Sequence, residues 1–233
     1  MPSFSKVLIA NRGEIAVRVA RGVHDEGLTA VTCHTVDDAS SPHVAAGDEV
    51  VALPGDGPTG YLDIAAVVTA AIEAGCDAIH PGYGFLSENA TFARTVRQAG
   101  LIFVGPGPDQ LERFGDKVAA RAAAAAAGVP VLAATAAGID LGDARAFLAE
   151  HGALMLKAVA GGGGRGMRPV TDPADIDAAF DACTREAEAA FGDGSLYAEE
   201  LLPSTRHVEV QIVGDGVRVE HCHERECSVQ RSR

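Results

Sequence analysis

The chain has 233 residues, of which 47% are hydrophobic and 22% charged, and this balance excludes an intrinsically disordered protein. Its formal net charge of −13 at pH 7 disfavours general binding to nucleic acid or to an anionic membrane surface. The five cysteines are scattered along the chain, which is typical of reduced thiols in a cytoplasmic protein.

Strand-like and helix-like segments alternate along the N-terminal part of the chain. The predicted strands are 6–10, 29–34, 49–53, 77–80 and 101–104, and the predicted helices between them are 14–26, 63–74 and 89–99. Strands and helices that alternate with short loops predict a parallel, doubly wound sheet. The fold class is therefore α/β, with a Rossmann-like domain over residues 1–114.

The C-terminal part has a different pattern. An alanine-rich helix is predicted over 115–127, because alanine is the best helix former. It is followed by a helix at 143–151, strands at 153–157 and 167–170, a helix at 173–190 and a strand at 197–202. Residues 207–213 and 217–223 alternate polar and apolar side chains around Gly214-Asp215-Gly216, which predicts a hairpin.

A glycine-rich loop gives the strongest chemical signal. Lys157 ends a predicted strand, and five glycines within the six positions 161–166 follow it before another strand begins. The spacing differs from that of a Walker A loop, and the strand that follows distinguishes it from a dinucleotide fingerprint. A hairpin of structural glycines is the plain alternative. The entropy lost on ordering four consecutive glycines favours a lid over nucleotide phosphates instead.

Lys117 is the second signal, because it lies in the first turn of a predicted helix. A cation there opposes the helix dipole unless an anion binds nearby, although an ordinary solvated lysine is the alternative. The chain has only three lysines, Lys6, Lys117 and Lys157. Two of the three therefore lie at positions suited to phosphate.

The segment from His221 to Cys227 contains His221, Cys222 and His223, which could suggest a zinc site. On a strand, however, the two histidines share one face and Cys222 lies on the other. An ordinary hairpin strand is the preferred interpretation, and no metal site is predicted.

Several strings in the chain resemble biotin carboxylase. They are Ile9–Arg18 (IANRGEIAVR), His80–Asn89 (HPGYGFLSEN), Phe114–Lys117 (FGDK), the glycine-rich loop, Arg206–Gln211 (RHVEVQ) and Glu226–Arg231 (ECSVQR). The resemblance covers essentially the whole chain. It implies an incomplete ATP-grasp domain over 115–233 after the Rossmann-like domain, with a lid at about 129–202 and the start of a C-terminal lobe at 203–233.

The resemblance also implies roles for individual residues. Tyr83 matches a position near the biotin pocket, and Arg18 matches a position at the dimer interface. The positions that would bind ATP are Lys117, Lys157, Gly163, Gly164, Glu199, Glu200, Leu201, Leu202, His207 and Gln230.

The activity implied by the resemblance is ATP-dependent carboxylation of biotin with bicarbonate, the first half-reaction of an acyl-CoA or pyruvate carboxylase. Its expected partners are a biotin carboxyl carrier protein or domain, a carboxyltransferase and a second copy of the chain. The ligands of Mg2+, the bicarbonate site and the catalytic base are expected beyond residue 233, so no catalytic residue is assigned. A noncatalytic ATP- or ADP-binding or dimerising remnant is one alternative, and another ATP-grasp ligase, of carbamoyl-phosphate or purine-pathway type, is a second.

Overall fold

The structure is a computed structural model that describes residues 4–160, 166–202 and 204–227. The chain divides into two compact units, Met1–Gly115 and Asp116–Arg233. Within the described ranges, no helix is long and apolar enough to cross a membrane.

The first unit contains a five-stranded parallel sheet, as predicted. Its strands are β1 (Lys6–Ile9), β2 (Thr29–His34), β3 (Glu49–Ala52), β4 (Ala78–His80) and β5 (Ile102–Phe103). They lie in the order β3-β2-β1-β4-β5, and every neighbouring pair is parallel. The direction of winding reverses beside β1, so the sheet has a topological switch point between β1 and β4.

Helices cover both faces of this sheet. They are α1 (Gly13–Asp25), α2 (Gly57–Gly60), α3 (Ile64–Glu73), α4 (Ala90–Gln98) and α5 (Pro108–Gly115), with short 3-10 turns at Val36–Asp38 and Val44–Ala46. One buried cluster includes Leu8, Ile79 and Phe92, and the other includes Val7 and Val19. Adjacent residues of β1 thus enter opposite clusters, as expected for a strand buried on both sides.

The second unit begins with α6 (Lys117–Ala126) and α7 (Leu141–His151). An antiparallel sheet follows, in the order β7-β6-β8, made of β6 (Leu154–Ala158), β7 (Met167–Val170) and β8 (Leu196–Glu200). Between β7 and β8 lies α8 (Ile176–Phe191), which is preceded by a 3-10 turn at Pro173–Asp175. A separate two-stranded hairpin consists of β9 (Val208–Gly214) and β10 (Val219–Glu226).

The helix predicted over 115–127 is wrong at its start. The helix in this region is α6, which begins at Lys117 with Asp116 as its N-cap. Gly115 is the last residue of the preceding helix, α5. The sequence Gly105-Pro106-Gly107-Pro108 resembles a loop, so α5 was not predicted. Proline is nevertheless well suited to the first position of a helix, and Pro108 is the first residue of α5.

Candidate functional site

One face of the antiparallel sheet carries a charged pair. Lys157 of β6 lies opposite Tyr197 of β8, and Glu199 shares that face because it lies two residues farther along β8. The Lys157 ammonium donates a hydrogen bond to Oε2 of Glu199. The other face of β6 carries Leu154 and Leu156, which are buried in the core. The pleat of β6 therefore places Lys157 on the face opposite to this core.

Helix α6 supplies two further cations. Lys117 and Arg121 are spaced by four residues, which places them on one side of the helix. The Arg121 guanidinium donates to Oε1 of Glu199 at 3.1 Å and to the carbonyl of Leu132 at 3.0 Å. Glu199 is thus held by cations from two different elements.

The lysine cluster consists of Lys117, Arg121, Lys157 and Glu199. Burial and the nearby charge of Lys157 lower the pKa of Lys117, so the two lysines are close enough to repel each other. Three cations and one carboxylate give the cluster a charge of +2 in a chain whose net charge is −13. A partly buried, locally positive site of this kind favours an anion with several charges, such as a polyphosphate.

The N-terminus of α6 does not itself require a bound anion. The Asp116 carboxylate accepts hydrogen bonds from the backbone N–H groups of Val118 at 2.8 Å and Ala119 at 2.9 Å. This cap supplies the negative charge that a helix N-terminus favours. Because Asp116 already caps the helix, the helix dipole does not indicate an anion at Lys117, and phosphate there is favoured only by the nearby charge of Lys157.

The other predicted nucleotide-binding residues are distributed along the second unit. The backbone N–H of Glu200 already donates to the carbonyl of Ala133 at 2.9 Å. Leu201 and Leu202 follow the end of β8, and the Leu202 side chain is exposed. His207 lies just before β9. Gly163, Gly164 and Gln230 lie outside the described residues.

The topological switch point of the first unit forms a second site. The buried Asn11, which follows β1, donates from Nδ2 to the carbonyls of Pro81 and Tyr83, both at 2.8 Å. Gly82 lies against it with φ +65°, and a Cβ there would approach Nδ2 of Asn11 to 2.6 Å. The loop after β4 can pack this closely only because residue 82 is glycine. Ligands of open α/β sheets bind at such a crevice.

Tyr83 lies at the edge of this crevice. It lines a cavity of about 430 Å³ together with Asn11, Arg12 and Glu14. Its hydroxyl donates to Oε1 of Glu14, and this hydrogen bond raises the pKa of Tyr83. The Arg12 guanidinium pairs with Oδ2 of Asp38 at 2.9 Å. The same oxygen accepts a hydrogen bond from the Tyr61 hydroxyl at 3.0 Å.

Arg18, the predicted dimer-interface residue, is exposed on α1. It borders an apolar cavity of about 400 Å³ whose lining includes Phe4, Ile15, Val19 and Leu28. The structure contains a single chain, so the interface remains a prediction.

Within the described ranges, one group of three metal-ligating side chains could share an ion. His207, Glu209 and Cys227 have ligand atoms within 4.8 Å of one another. Of the 221–227 motif, only Cys227 takes part, and the rings of His221 and His223 contact each other instead, with centroids 5.2 Å apart. Mg2+ prefers oxygen ligands, so this mixed nitrogen, oxygen and sulfur set does not fit it.

Sequence reasoning missed two residues of these sites. Arg121 lies four residues after Lys117, and that helical spacing was a signal that could have identified it. The bridging role of Asn11 had no local signal, because its partners lie 70 and 72 residues away in the chain.

Two family profiles together match nearly the whole chain. The profile described as biotin carboxylase, N-terminal domain, matches residues 3–111, and that described as carbamoyl-phosphate synthase L chain, ATP binding domain, matches residues 116–233. The two matches meet close to the boundary between the two structural units.

Relatives of the chain include longer proteins that are named as carboxylases. Pyruvate carboxylase 1 of Caenorhabditis elegans is 46% identical over 98% of this chain, which spans 20% of that protein. The biotin-dependent acyl-coenzyme A carboxylase alpha3 subunit of Mycobacterium leprae is 44% identical over 97% of this chain and 39% of its own length. The chain thus spans about a fifth of the pyruvate carboxylases that it matches.

Solved structures of biotin carboxylases share the fold. The biotin carboxylase domain of Hydrogenobacter thermophilus 2-oxoglutarate carboxylase, crystallised with MgADP, ADP and bicarbonate, has a TM-score of 0.94 at 38% identity. That match covers 99% of this chain and 52% of the other. The biotin carboxylase of Campylobacter jejuni in complex with an ATP analogue also has a TM-score of 0.94 at 38% identity, over 98% and 52% of the two chains.

Proposed function

We propose that this chain supplies the nucleotide-binding part of a biotin carboxylase. Over residues 116–233 it belongs to the carbamoyl-phosphate synthase L chain ATP-binding family, and over residues 3–111 it matches the biotin carboxylase N-terminal domain. The reaction is the ATP-dependent carboxylation of biotin with bicarbonate. The observation that carries the proposal is the lysine cluster, which brings together cations from α6 and β6.

The cluster acts by neutralising phosphate charge. In such a reaction, ATP phosphorylates bicarbonate and the resulting carboxyphosphate supplies CO2 to biotin. Negative charge on the phosphate oxygens is best stabilised by cations that are already in place before the substrate binds. Lys117 and Lys157 provide two such cations, and Arg121 a third.

Glu199 keeps this arrangement folded while no nucleotide is bound. Its two oxygens accept from Lys157 and Arg121, so repulsion among the three cations is partly offset. A triphosphate offers Lys157 another anionic partner, and Glu199 can then remain paired with Arg121. Glu199 therefore positions the side chain of Lys157, and this role does not depend on which backbone groups bind the adenine.

Metal chemistry is not assigned to the described residues. Their one potential metal-binding group does not suit Mg2+. The proposed neutralisation of phosphate charge therefore depends on the charged side chains of the chain itself.

The remaining roles are part of the same proposal. The switch-point crevice with Tyr83 binds biotin presented by a carrier protein or domain, and Arg18 lies at an interface between two copies of the chain. A carboxyltransferase then uses the carboxylated biotin, as expected from the similarity to pyruvate and acyl-CoA carboxylases. The cytoplasmic location predicted from the cysteines stays a prediction that cell fractionation tests.

Calorimetric titration with ATP tests the nucleotide site. Lys157→Met is expected to weaken ATP binding at least about tenfold, because hydrogen bonds to charged groups contribute about 1.5–3 kcal/mol. Lys6→Met is the matched control. Lys6 is the third lysine of the chain, and it pairs with Glu49 at 2.7 Å in the first unit. ATP should bind this variant with unchanged affinity.

Absence of ATP binding to the unmodified chain would contradict the proposal, as would an equal loss in both variants. Turnover separates the enzyme from a noncatalytic nucleotide binder. When joined to the sites expected beyond residue 233, part of an enzyme hydrolyses ATP in a manner that depends on both biotin and bicarbonate, whereas a noncatalytic binder shows affinity without turnover.

A further inference from the structure

A phenylalanine in the loop at the switch-point crevice has a strained backbone. Phe85 has φ +40°, and in the part of the chain that the structure describes His223 is the other non-glycine residue with a positive φ. A large side chain avoids this region because its Cβ crowds the backbone, so the conformation persists only where the surroundings enforce it. Strained residues of this kind concentrate at functional sites, and Phe85 lies two residues from Tyr83.

Aromatic contacts hold the Phe85 side chain in place. Its ring stacks on that of Tyr61, with the ring centroids 5.2 Å apart and the ring planes 18° from parallel. Tyr61 is 1% exposed and belongs to a buried cluster, so the stack ties the loop to the core of the first unit. The guanidinium carbon of Arg12 lies 5.9 Å from the centroid of each ring, a distance at which cation–π attraction adds to the stack.

Arg12 is itself held by a carboxylate that has several partners. Its Nη1 donates to Oδ2 of Asp38 at 2.9 Å, and the Tyr61 hydroxyl donates to the same oxygen at 3.0 Å. The Ser41 hydroxyl donates to Oδ1 of Asp38 at 3.0 Å. Because three donors fix this carboxylate, it keeps the guanidinium beside the two rings.

The backbone on either side of Tyr83 offers little restraint of its own. Gly82 and Gly84 flank Tyr83 with φ +65° and +66°, a conformation that glycine adopts without steric cost. Asn11 holds the Tyr83 carbonyl at 2.8 Å, and the anchored ring of Phe85 holds the other end of the loop. The Tyr83 side chain remains 61% exposed. Its position therefore depends on contacts that its neighbours in the loop make.

We propose that Arg12 and Phe85 are positioning residues for Tyr83, because their contacts hold the 82–85 loop where the Tyr83 hydroxyl reaches Glu14. That Tyr83 then contacts biotin rests on the function proposed for this crevice. The cost of the strain at Phe85 and the combined attraction of the stack and the cation–π contact are of the same order. Loss of either contact should therefore let Phe85 relax to a negative φ and separate Tyr83 from Glu14.

Ultraviolet titration of the tyrosines tests this on the chain itself. The chain has three tyrosines and no tryptophan, so phenolate absorption is not masked by indole. Burial raises the pKa of both Tyr61 and Tyr197, so the exposed Tyr83 ionises first. The hydrogen bond to Glu14 raises the pKa of Tyr83 above its ordinary value of 10.0. This pKa therefore reports whether the hydrogen bond is formed.

Arg12→Met and Phe85→Leu should each lower the pKa of Tyr83 toward 10.0, because the relaxed loop loses the hydrogen bond to Glu14. Removal of the Arg12 charge alone would raise that pKa, so a fall reports movement of the loop. Glu14→Gln is the reference, since it removes the carboxylate and leaves the loop in place. Urea denaturation shows that each variant is folded, and Phe85→Leu decides the matter if Arg12→Met does not fold.

Two matched controls lie in the same unit. Arg94→Met removes an arginine that pairs with Glu112 at 2.7 Å, away from the rings. Tyr61→Phe keeps the ring stack on Phe85 and removes only the hydroxyl. Neither substitution should change the titration of Tyr83.

An unchanged pKa of Tyr83 in a folded Arg12→Met or Phe85→Leu variant would overturn the proposal, as would an equal change in Arg94→Met. Free biotin provides a separate test of the crevice. It should shift the Tyr83 titration of the unmodified chain and do so more weakly in Arg12→Met. If biotin shifts neither chain, the proposed role of the crevice is wrong, whereas the positioning of Tyr83 is decided by the titrations without biotin.

Discussion

Two antiparallel strands of the second unit both carry an apolar residue at every second position but have different surroundings. In β6, Leu154 and Leu156 are 0% exposed. In β9, the corresponding apolar side chains of Val208, Val210 and Ile212 are 48%, 48% and 54% exposed. Both strands have this spacing of apolar residues, so the spacing alone does not decide which strand is buried.

The two strands differ in exposure because a layer of helices covers the apolar face of β6. The apolar face of β6 packs against α7 and α8 through Phe147, Leu148, Cys183 and Ala187. Across the part of the chain that the structure describes, no residue of β9 or β10 belongs to a buried cluster. A two-stranded hairpin is marginally stable without a covering layer. Lys157 and Glu199 of the lysine cluster lie on the sheet that helices support.

Matched truncations should show this contrast most strongly. Leu156→Ala is expected to destabilise the second unit by about 2–5 kcal/mol, because it leaves a cavity in a close-packed core. Ile212→Ala should change the free energy of unfolding by no more than about 0.5 kcal/mol, as for other surface substitutions. Urea denaturation and hydrogen exchange of residues 154–158 provide the measurements. Comparable losses at the two sites would contradict the contrast and indicate that β9 is packed in solution.

Removing the carboxylate of the lysine cluster should have the next largest effect. Glu199→Gln removes the carboxylate that pairs with both Arg121 and Lys157, and the Glu199 side chain is only 13% exposed. The expected loss is about 2 kcal/mol, between the values for exposed pairs and for fully buried ones. Added inorganic triphosphate should raise the melting temperature of this variant more than that of the unmodified chain.

Glu186→Gln is the control for this change. Glu186 pairs with Arg168, but both side chains are well exposed, at 48% and 40%. Its loss should cost less than about 1 kcal/mol, and triphosphate should have no greater effect on it than on the unmodified chain. An equal loss in the two variants would show that burial of Glu199 contributes nothing.

The sequence was sufficient for the parallel sheet because its signals are local. Continuous apolar strands such as residues 6–9 are typical of a sheet buried on both faces. Helix starts were equally readable: Asp63 and Asn89 cap α3 and α4 by accepting from backbone N–H groups three residues later, at 3.0 and 2.8 Å. Lys157 was identified for a similar reason, since it ends a strand next to a conspicuous glycine run.

Contacts between distant segments were beyond local patterns. Arg121 and Glu199 are 78 residues apart, and only the packing of α6 near β8 brings them together. The motif at 221–227 was judged on its own strand, whereas Cys227 meets His207 through the register of β9 and β10. In both cases the decisive partner lies on another element, so its identity depends on tertiary structure.

The smallest expected effect is a pH dependence of the lysine cluster. Burial and the charge of Lys157 lower the pKa of Lys117 below its ordinary value of 10.5. Between the lowered pKa and 10.5, the unfolded chain binds the proton more readily than the folded chain. Stability therefore rises with pH through that window, and charged Lys117 is destabilising below it.

Lys117→Met removes this titration. The variant should be more stable than the unmodified chain near pH 7, and the difference should shrink as the pH rises toward 10. Burial raises the pKa of Tyr197 to about 12, which lowers stability as the pH rises and so opposes the effect of Lys117. Because Lys117→Met does not change Tyr197, this effect cancels when the two chains are compared. Urea midpoints measured at several pH values test this, and a difference that stays constant would show that burial and Lys157 do not lower the pKa of Lys117.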